Sequence, residues 1–307
     1  RFRTPAEQKK ALERLRNGSL DILIGTHRVL SSDVVFKDLG LLIVDEEQRF
    51  GVAHKERIKQ MAQGIDVLTL SATPIPRTLN MAMGGIRDIS ILDEAPVDRL
   101  PVQTYVLEHD NIIIGDAIRR ELARGGQVFF LHNRVTTMGK VEKRLREICP
   151  KLRIVVAHGQ MDSKTLARKM RAFERGEYDL LLSTTIIESG IDIPRANTIL
   201  VSDAQTFGLA DLYQLRGRVG RSAVQGRAIF LLPGVGSVDS DARERLAALK
   251  RHGGLGGGFA LAVRDLELRG AGNLLGSEQS GHIAAVGFTL YCQLLKRTVA
   301  MLKGEKP

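Results

Sequence analysis

Two cysteines, Cys149 and Cys292, are all that the 307 residues contain. A pair so far apart builds neither a disulfide framework nor a zinc cage, and such sparse cysteine suits a reducing cytosol. No apolar run nears the ~20 residues that a membrane-spanning helix requires, and nothing near residue 1 reads as a secretory signal. A cytoplasmic protein without a membrane partner is therefore expected. The pattern Gly-x-x-x-x-Gly-Lys-[Ser/Thr], whose backbone cradles the phosphates of a nucleoside triphosphate, is missing as well. What is present is ordinary globular material: 43% of residues are hydrophobic, enough for cores and too many for wholesale disorder. Forty-five Lys and Arg against 35 Asp and Glu leave a formal charge of +10. That surplus points to a polyanionic partner and says nothing about fold. At about 100–200 residues per domain, the length suggests roughly two domains.

One pattern recurs through the first 232 residues: a short apolar run stops abruptly at small polar or charged residues. Residues 21–24 run into Gly25-Thr26-His27, 41–44 into Asp45-Glu46-Glu47-Gln48, and 67–70 into Ser71-Ala72-Thr73. Further on, 128–131 stop at His132-Asn133-Arg134, 154–157 at His158-Gly159-Gln160, and 180–182 at Ser183-Thr184-Thr185, with 198–201 and 228–232 completing the series. Continuous apolar runs of this length read as strands buried on both faces, as in parallel sheets covered by helices. Long helix-favouring segments, such as 5–16, 111–124 and 164–175, separate them. The alternation predicts an α/β fold with largely parallel sheets. Ligands of such sheets sit beyond the carboxyl ends of the strands, so the chemistry is expected along one edge of each sheet. Breaks in periodicity near 94–101 and 233–241 divide the chain into 1–97, 98–234 and 235–307. The last part has a glycine-dense stretch at 253–258 and apolar residues at helical spacing over 286–302.

Four segments could carry chemistry. Asp45 and Glu46 close a buried apolar strand, where one carboxylate can hold Mg²⁺ through water and the next can polarise an attacking water. Acidic residues after a strand are also common helix caps, and that alternative stands. Ser71-Ala72-Thr73-Pro74 on its own reads as a capping turn. Residues 183–194 place hydroxyls at Thr184 and Thr185, then Gly190 and Asp192 two apart before Pro194. The hydroxyls can bond nucleic-acid phosphates and Asp192 a ribose hydroxyl, while helix capping remains open for each Thr singly. Gln214-Leu215-Arg216-Gly217-Arg218-Val219-Gly220-Arg221 is the most specific: two guanidiniums three apart, flanked by glycines, can clamp phosphoryl oxygens. His27, His132 and His158 lack the companions a metal would need, so loop or hydrogen-bonding roles are expected.

Taken in order, these segments resemble the superfamily-two helicases and translocases, whose motor is two RecA-like domains with ATP in the cleft between them. The resemblance implies that Asp45 helps hold Mg²⁺, Glu46 positions the hydrolytic water, and Ser71 and Thr73 couple hydrolysis to domain movement. Gly190 and Asp192 would touch the nucleotide, with Gln214, Arg218 and Arg221 reaching across to its phosphates. Thr26, Asn133, Arg134, Gly159, Gln160, Thr184 and Thr185 would line the nucleic-acid track. Asp45-Glu46-Glu47-Gln48-Arg49-Phe50-Gly51-Val52 and Thr73-Pro74-Ile75-Pro76-Arg77-Thr78-Leu79 narrow the likeness to a branch shared by the bacterial transcription-repair coupling factors and the branch-migration helicases of fork rescue. Both groups carry a further motif, matched by Arg264-Asp265-Leu266-Glu267-Leu268-Arg269-Gly270-Ala271-Gly272, which they use as a helical hairpin for movement on duplex DNA. Arg264, Glu267, Arg269 and Gln279 would act there. Residues 79–88, 276–281 and 286–291 resemble the coupling factors more closely.

The resemblance thus implies two RecA-like parallel-sheet domains, the first incomplete at its N-terminal side, followed by a helical translocation motif. ATP and Mg²⁺ are the expected ligands and double-stranded DNA the expected partner. RNA polymerase and nucleotide-excision repair proteins would be gripped by regions outside this chain, and the protein would act as a monomer. Because the phosphate-cradling loop is missing, the chain is expected to be the back part of a longer motor and inactive by itself. Two alternatives remain: a fork-regression helicase, or a basic DNA-binding module without activity of its own. If the charge serves DNA, affinity of this chain for duplex DNA should fall steeply with salt. The log–log slope should be about −0.9 per phosphate neutralised, measured by fluorescence anisotropy across a salt series. A flat response would make the +10 surplus incidental.

Overall fold

Parallel strands dominate wherever strands form. A computed structural model describes residues 4–47, 50–72, 88–92, 100–185, 193–221, 223–234 and 239–251, together with isolated positions 257, 258, 261, 290, 294, 297, 298 and 301. The chain divides into two compact units, Arg1–Pro74 and Ile75–Pro307.

The first unit opens on α1 (Pro5–Asn17). Thr4 and Glu7 form a reciprocal capping box, Glu7 N–H donating to Thr4 Oγ1 at 3.3 Å and Thr4 N–H to the Glu7 carboxylate at 2.7 Å. Pro5 needs no backbone donor in that first turn. A βα unit follows: β1 (Leu41–Asp45), α2 (Val52–Met61) and β2 (Asp66–Leu70), the strands paired in parallel with Leu41 opposite Asp66 and Asp45 opposite Leu70. Two differences from expectation appear. Residues 21–24 form no strand; they run irregularly into a 3₁₀ turn at His27–Leu30. A strand exists only through a hydrogen-bonded neighbour, and none pairs with 21–24 among the described residues. The expected two-faced burial also fails here, since Leu41, Ile43, Leu68 and Leu70 are all exposed, Ile43 at 55%.

In the second unit burial is as expected. Six strands, β3 (Gln103–Glu108), β4 (Gln127–Leu131), β5 (Ile154–Ala157), β6 (Leu180–Ser183), β7 (Ala196–Val201) and β8 (Arg227–Leu232), lie in the order β3-β8-β7-β4-β6-β5, and every pairing is parallel. Central strands β4, β6 and β7 are buried along their full length. Helices α3 (Asn111–Ala123), α4 (Met138–Ile148), α5 (Ser163–Glu174), α6 (Leu209–Arg216) and α7 (Ser240–Arg251) return the chain between them or extend it. Alternate strand residues feed two separate cores. Val128, Phe130, Leu180, Leu182 and Leu200 pack with Ile114 and Ile118 of α3 and Leu145 of α4. Phe129, Leu131, Leu181, Ile199 and Phe230 pack with Phe173 of α5, Leu212 of α6 and Leu246 and Leu249 of α7. Thus α7, beyond the break expected near 234, packs into the core of this sheet.

β3 was not among the expected strands. It is an edge strand, half-buried at Thr104, Val106 and Leu107 and exposed at Gln103, Tyr105 and Glu108, so it lacks the long apolar run of the central strands. Asp110 and Asp162 cap α3 and α5, accepting from Ile112 N–H at 2.7 Å and from Thr165 N–H at 2.9 Å. Backbone donation holds the Asp162 carboxyl below its ordinary range. Phe173, fully buried with its ring centroid 5.7 Å from that of Phe129, is central to one core. Truncation by Phe173→Ala should lower unfolding free energy by about 3–5 kcal/mol in urea titrations. Ile112→Ala, at an exposed site, should change it by less than about 0.5 kcal/mol.

Candidate functional site

Parallel pairing decides which residues can meet. In the first unit the ladder continues one step past the strands, because Glu46 N–H donates to Leu70 O at 2.9 Å. Asp45, Glu46 and Ser71 therefore share the carboxyl edge of one strand pair. Asp45 and Ser71 are exposed and Glu46 is half-buried. Glu46 holds φ 53°, a left-handed backbone that non-glycine residues rarely adopt and that recurs at functional turns. Thr26 is exposed and makes no capping bond with its hydroxyl. The neighbouring His27 ring lies 5.9 Å from His54 in the first turn of α2. Thr73 lies outside the described residues.

In the second unit β4, β6 and β5 are neighbours with Leu131, Ser183 and Ala157 in register. The loops that follow are therefore adjacent. Asn133 and Arg134 (after β4), Thr184 and Thr185 (after β6) and Gly159 and Gln160 (after β5) come together along one carboxyl edge. Asn133, Arg134, Gly159 and Gln160 are exposed, whereas Thr184 is buried and Thr185 half-buried. Gly190, Asp192, Arg264, Glu267, Arg269 and Gln279 lie outside the described residues.

The arginine segment goes elsewhere, and here the expectation of a single chemical edge is corrected. α6 must return the chain to the start of β8, so the loop after it reaches the opposite edge of the sheet. Gly220, at φ 68°, sits there against Gly226: a Cβ on Gly226 would lie 2.7 Å from Gly220 Cα and N. Gly226 O in turn accepts from Gln103 N–H at 2.9 Å, where β3 begins. Only glycines allow this close approach. Of the three arginines, Arg216 is buried with its guanidinium 4.6 Å from the Tyr213 ring and donating to Leu249 O at 3.1 Å. Burial lowers its pKa from the ordinary guanidinium value. Gln214 and Arg218 are half-buried, and Arg221 is exposed, its Nε donating to Gly217 O at 3.1 Å. Arg216 is thus held within the fold, and Arg221 is the most exposed of the three.

A group that the sequence pattern did not assemble lies where the strand order reverses, between β4 and β7. His132 is buried, its Nδ1 2.7 Å from Ser202 Oγ and its Nε2 2.6 Å from Thr137 Oγ1. Ser202 Oγ also donates to Leu131 O and Thr137 Oγ1 to Arg134 O, each at 3.2 Å, so both ring nitrogens face hydroxyls that are themselves anchored to the backbone. The expectation of a hydrogen-bonding histidine is met. The partners Ser202 and Asp203 follow β7 and become visible only with the strand order. Asp203 holds a left-handed φ of 52°.

Among the described residues no three His, Cys, Asp or Glu side chains are placed to hold a metal, and no helix is long and apolar enough to cross a membrane. The exposed Asp45 carboxylate at a strand end is the donor a hydrated Mg²⁺ uses, since that ion takes one or two carboxylates and fills its shell with water and phosphate.

Residues 2–82 match the family described as DEAD/DEAH box helicase, and residues 111–223 match the helicase conserved C-terminal domain. The chain carries both helicase-family domains. It is 54% identical over 306 residues, its whole length, to the transcription-repair-coupling factor of Staphylococcus aureus strain USA300, covering 26% of that protein. Identity to the Escherichia coli K12 transcription-repair-coupling factor is 54% over 308 residues, covering 27% of it. The chain therefore spans about a quarter of the length of these curated relatives. Among solved structures, RecG bound to a three-way DNA junction matches with a TM-score of 0.67 at 35% identity, over 96% of this chain and 38% of that one. The Mycobacterium smegmatis helicase Lhr, bound to ssDNA and AMP-PNP, matches at 0.57 with 15% identity over 82% of this chain and 36% of its own, which shows the shared fold. The expected architecture of two RecA-like helicase domains thus holds.

Burial lowers the pKa of His132, with Arg134 adding to the effect and Asp203 opposing it. His109, which accepts from Arg144 at 3.0 Å, is lowered by burial and by that guanidinium, against Asp203 and Asp110. A histidine with a lowered folded pKa binds fewer protons folded than unfolded, so its stabilisation is complete above about pH 6.5 and is lost as pH falls below it. The melting temperature should therefore drop between pH 7.5 and 5.5, and His132→Gln should shrink that drop. An unchanged pH profile in the variant would remove His132 from this account.

Proposed function

We propose that this chain is the back part of an ATP-driven double-stranded DNA translocase of the coupling-factor type. The whole protein would displace RNA polymerase stalled at lesions and bring in nucleotide-excision repair. The observation that carries the reading is 54% identity along the entire chain, including the segment beyond the second helicase domain. Two separate stations support it: exposed polar loops gathered along one edge for a polymer, and two arginines on another loop for phosphates.

Asp45 holds Mg²⁺ through water, Glu46 orients the attacking water, and Arg218 and Arg221, with Gln214, stabilise the charge of the transferring phosphoryl group. Bound Mg²⁺ neutralises charge on the phosphate oxygens. Gly190 and Asp192 contact the nucleotide, while Ser71 and Thr73 couple its state to domain movement. Thr26, Asn133, Arg134, Gly159, Gln160, Thr184 and Thr185 track the DNA backbone, so sequence preference is slight. Arg264, Glu267, Arg269 and Gln279 turn nucleotide state into travel along the duplex. The missing phosphate cradle comes from a preceding segment of the longer protein, and the chain alone hydrolyses no ATP.

A second reading, fork regression, is favoured by the likeness to RecG on a DNA junction. Displacement of stalled polymerase without regression of model forks by the whole protein supports the first reading; the reverse supports the second. Within either, Arg221→Ala in the whole protein should lower ATP turnover about 10³-fold with duplex affinity intact, by the usual size of arginine-finger effects. Turnover near wild type would remove Arg221 from the site.

A further inference from the structure

The loop that carries Arg218 and Arg221 is tied to the segment that leads into β3. Gln225 Nε2 donates to Pro101 O at 2.5 Å, joining positions 124 residues apart. The backbone oxygen of Gln225 accepts from Arg124 Nη1 at 2.9 Å. Arg124 is itself fixed, with Nη2 2.5 Å and Nε 3.1 Å from the two carboxylate oxygens of Glu121. Glu121 is fully buried and also accepts from Thr198 Oγ1 in the middle of the sheet. A Cβ on Gly126 would lie 1.8 Å from Glu121 Oε1, so that carboxylate is seated on bare backbone. At the other end, a Cβ on Gly220 would come 3.0 Å from Val102 Cγ2. A chain of contacts thus runs from the sheet through Glu121 and Arg124 to Gln225 and Pro101, with Val102 beneath the arginine loop.

Gln225 is half-buried, between the buried Glu121 and Val102 on one side and the exposed Arg124 and Pro101 on the other. Its side chain contributes little to the core, yet it closes the tie between loop 217–226 and residues 100–102. We propose that Gln225 is a positioning residue for the arginine loop: through Pro101 it fixes the loop to the residues that lead into β3, so this tie sets where Arg221 stands. This rests on the reading of Arg221 as a phosphate-clamping group and assigns Gln225 a role in the same site.

The test uses the whole protein that carries this chain, with Gln225→Glu, which keeps the shape and removes the N–H donor, and Gln225→Lys, which keeps a donor. ATP turnover on duplex DNA, KM for ATP, DNA affinity and melting temperature are measured for each. Because a displacement near 1 Å can lower a rate about 10²-fold, Gln225→Glu should lose about 10- to 10²-fold in kcat. KM, DNA affinity and melting temperature should stay near wild type, and Gln225→Lys should recover most of the rate. Wild-type kcat in Gln225→Glu overturns the proposal, as does an equal loss of rate and melting temperature in both variants. Arg221→Ala, run alongside, separates the two claims: if it too retains full turnover, the reading of the arginine loop fails; if it alone is inactive, only the role of Gln225 does.

Discussion

Parallel pairing is the constraint on which the rest depends. Each strand of a parallel sheet starts at the same edge, so every connection must cross back over a face. Loops that follow strands therefore gather at one edge, and loops that precede strands at the other. In the second unit this puts Asn133, Arg134, Gly159, Gln160, Thr184 and Thr185 along the carboxyl edge, and the loop of Arg218 and Arg221 where β3 and β8 begin. The two groups of residues that the proposed function assigns to a polymer and to phosphates are kept apart by that separation. The same crossings cover both faces, which is why Val128 and Phe129, adjacent in sequence, belong to different cores.

The two units carry this constraint to different extents. In the second, six paired strands bury β4, β6 and β7 completely. In the first, two strands leave Leu41, Ile43, Leu68 and Leu70 exposed, an apolar face of the kind that further strands and helices cover in a complete sheet. The chain as a whole covers about a quarter of the length of its curated relatives. At the end of β1, the left-handed Glu46 turns the chain beside Ser71 and leaves Asp45 exposed.

Most of the strands were legible because a strand buried on two faces cannot hide its composition. Val128-Phe129-Phe130-Leu131 has no other economical reading. What was missed fails that test in opposite ways. Edge strand β3 is half-solvated and polar at both ends, so a search for apolar runs passes over Gln103–Glu108. Residues 21–24 have the right composition but no neighbour to pair with among the described residues. The site was legible as residue types and illegible as geometry. The pattern around Arg218 and Arg221 suggested a phosphate clamp, yet only the direction of α6 shows that these residues occupy the other edge. The bridge from His132 to Ser202 depends on β7 lying beside β4, an adjacency that the chain order does not reveal.

The central claim is that Asp45 and Arg221, 176 positions apart in the numbering, serve the same triphosphate. A structure of the whole protein with duplex DNA and a non-hydrolysable ATP analogue addresses it directly. The account requires the Arg221 guanidinium on the terminal phosphate and the Asp45 carboxylate at the metal's water shell on the same nucleotide. An analogue bound with either side chain turned to bulk solvent, and no second conformation that brings it in, would contradict the account.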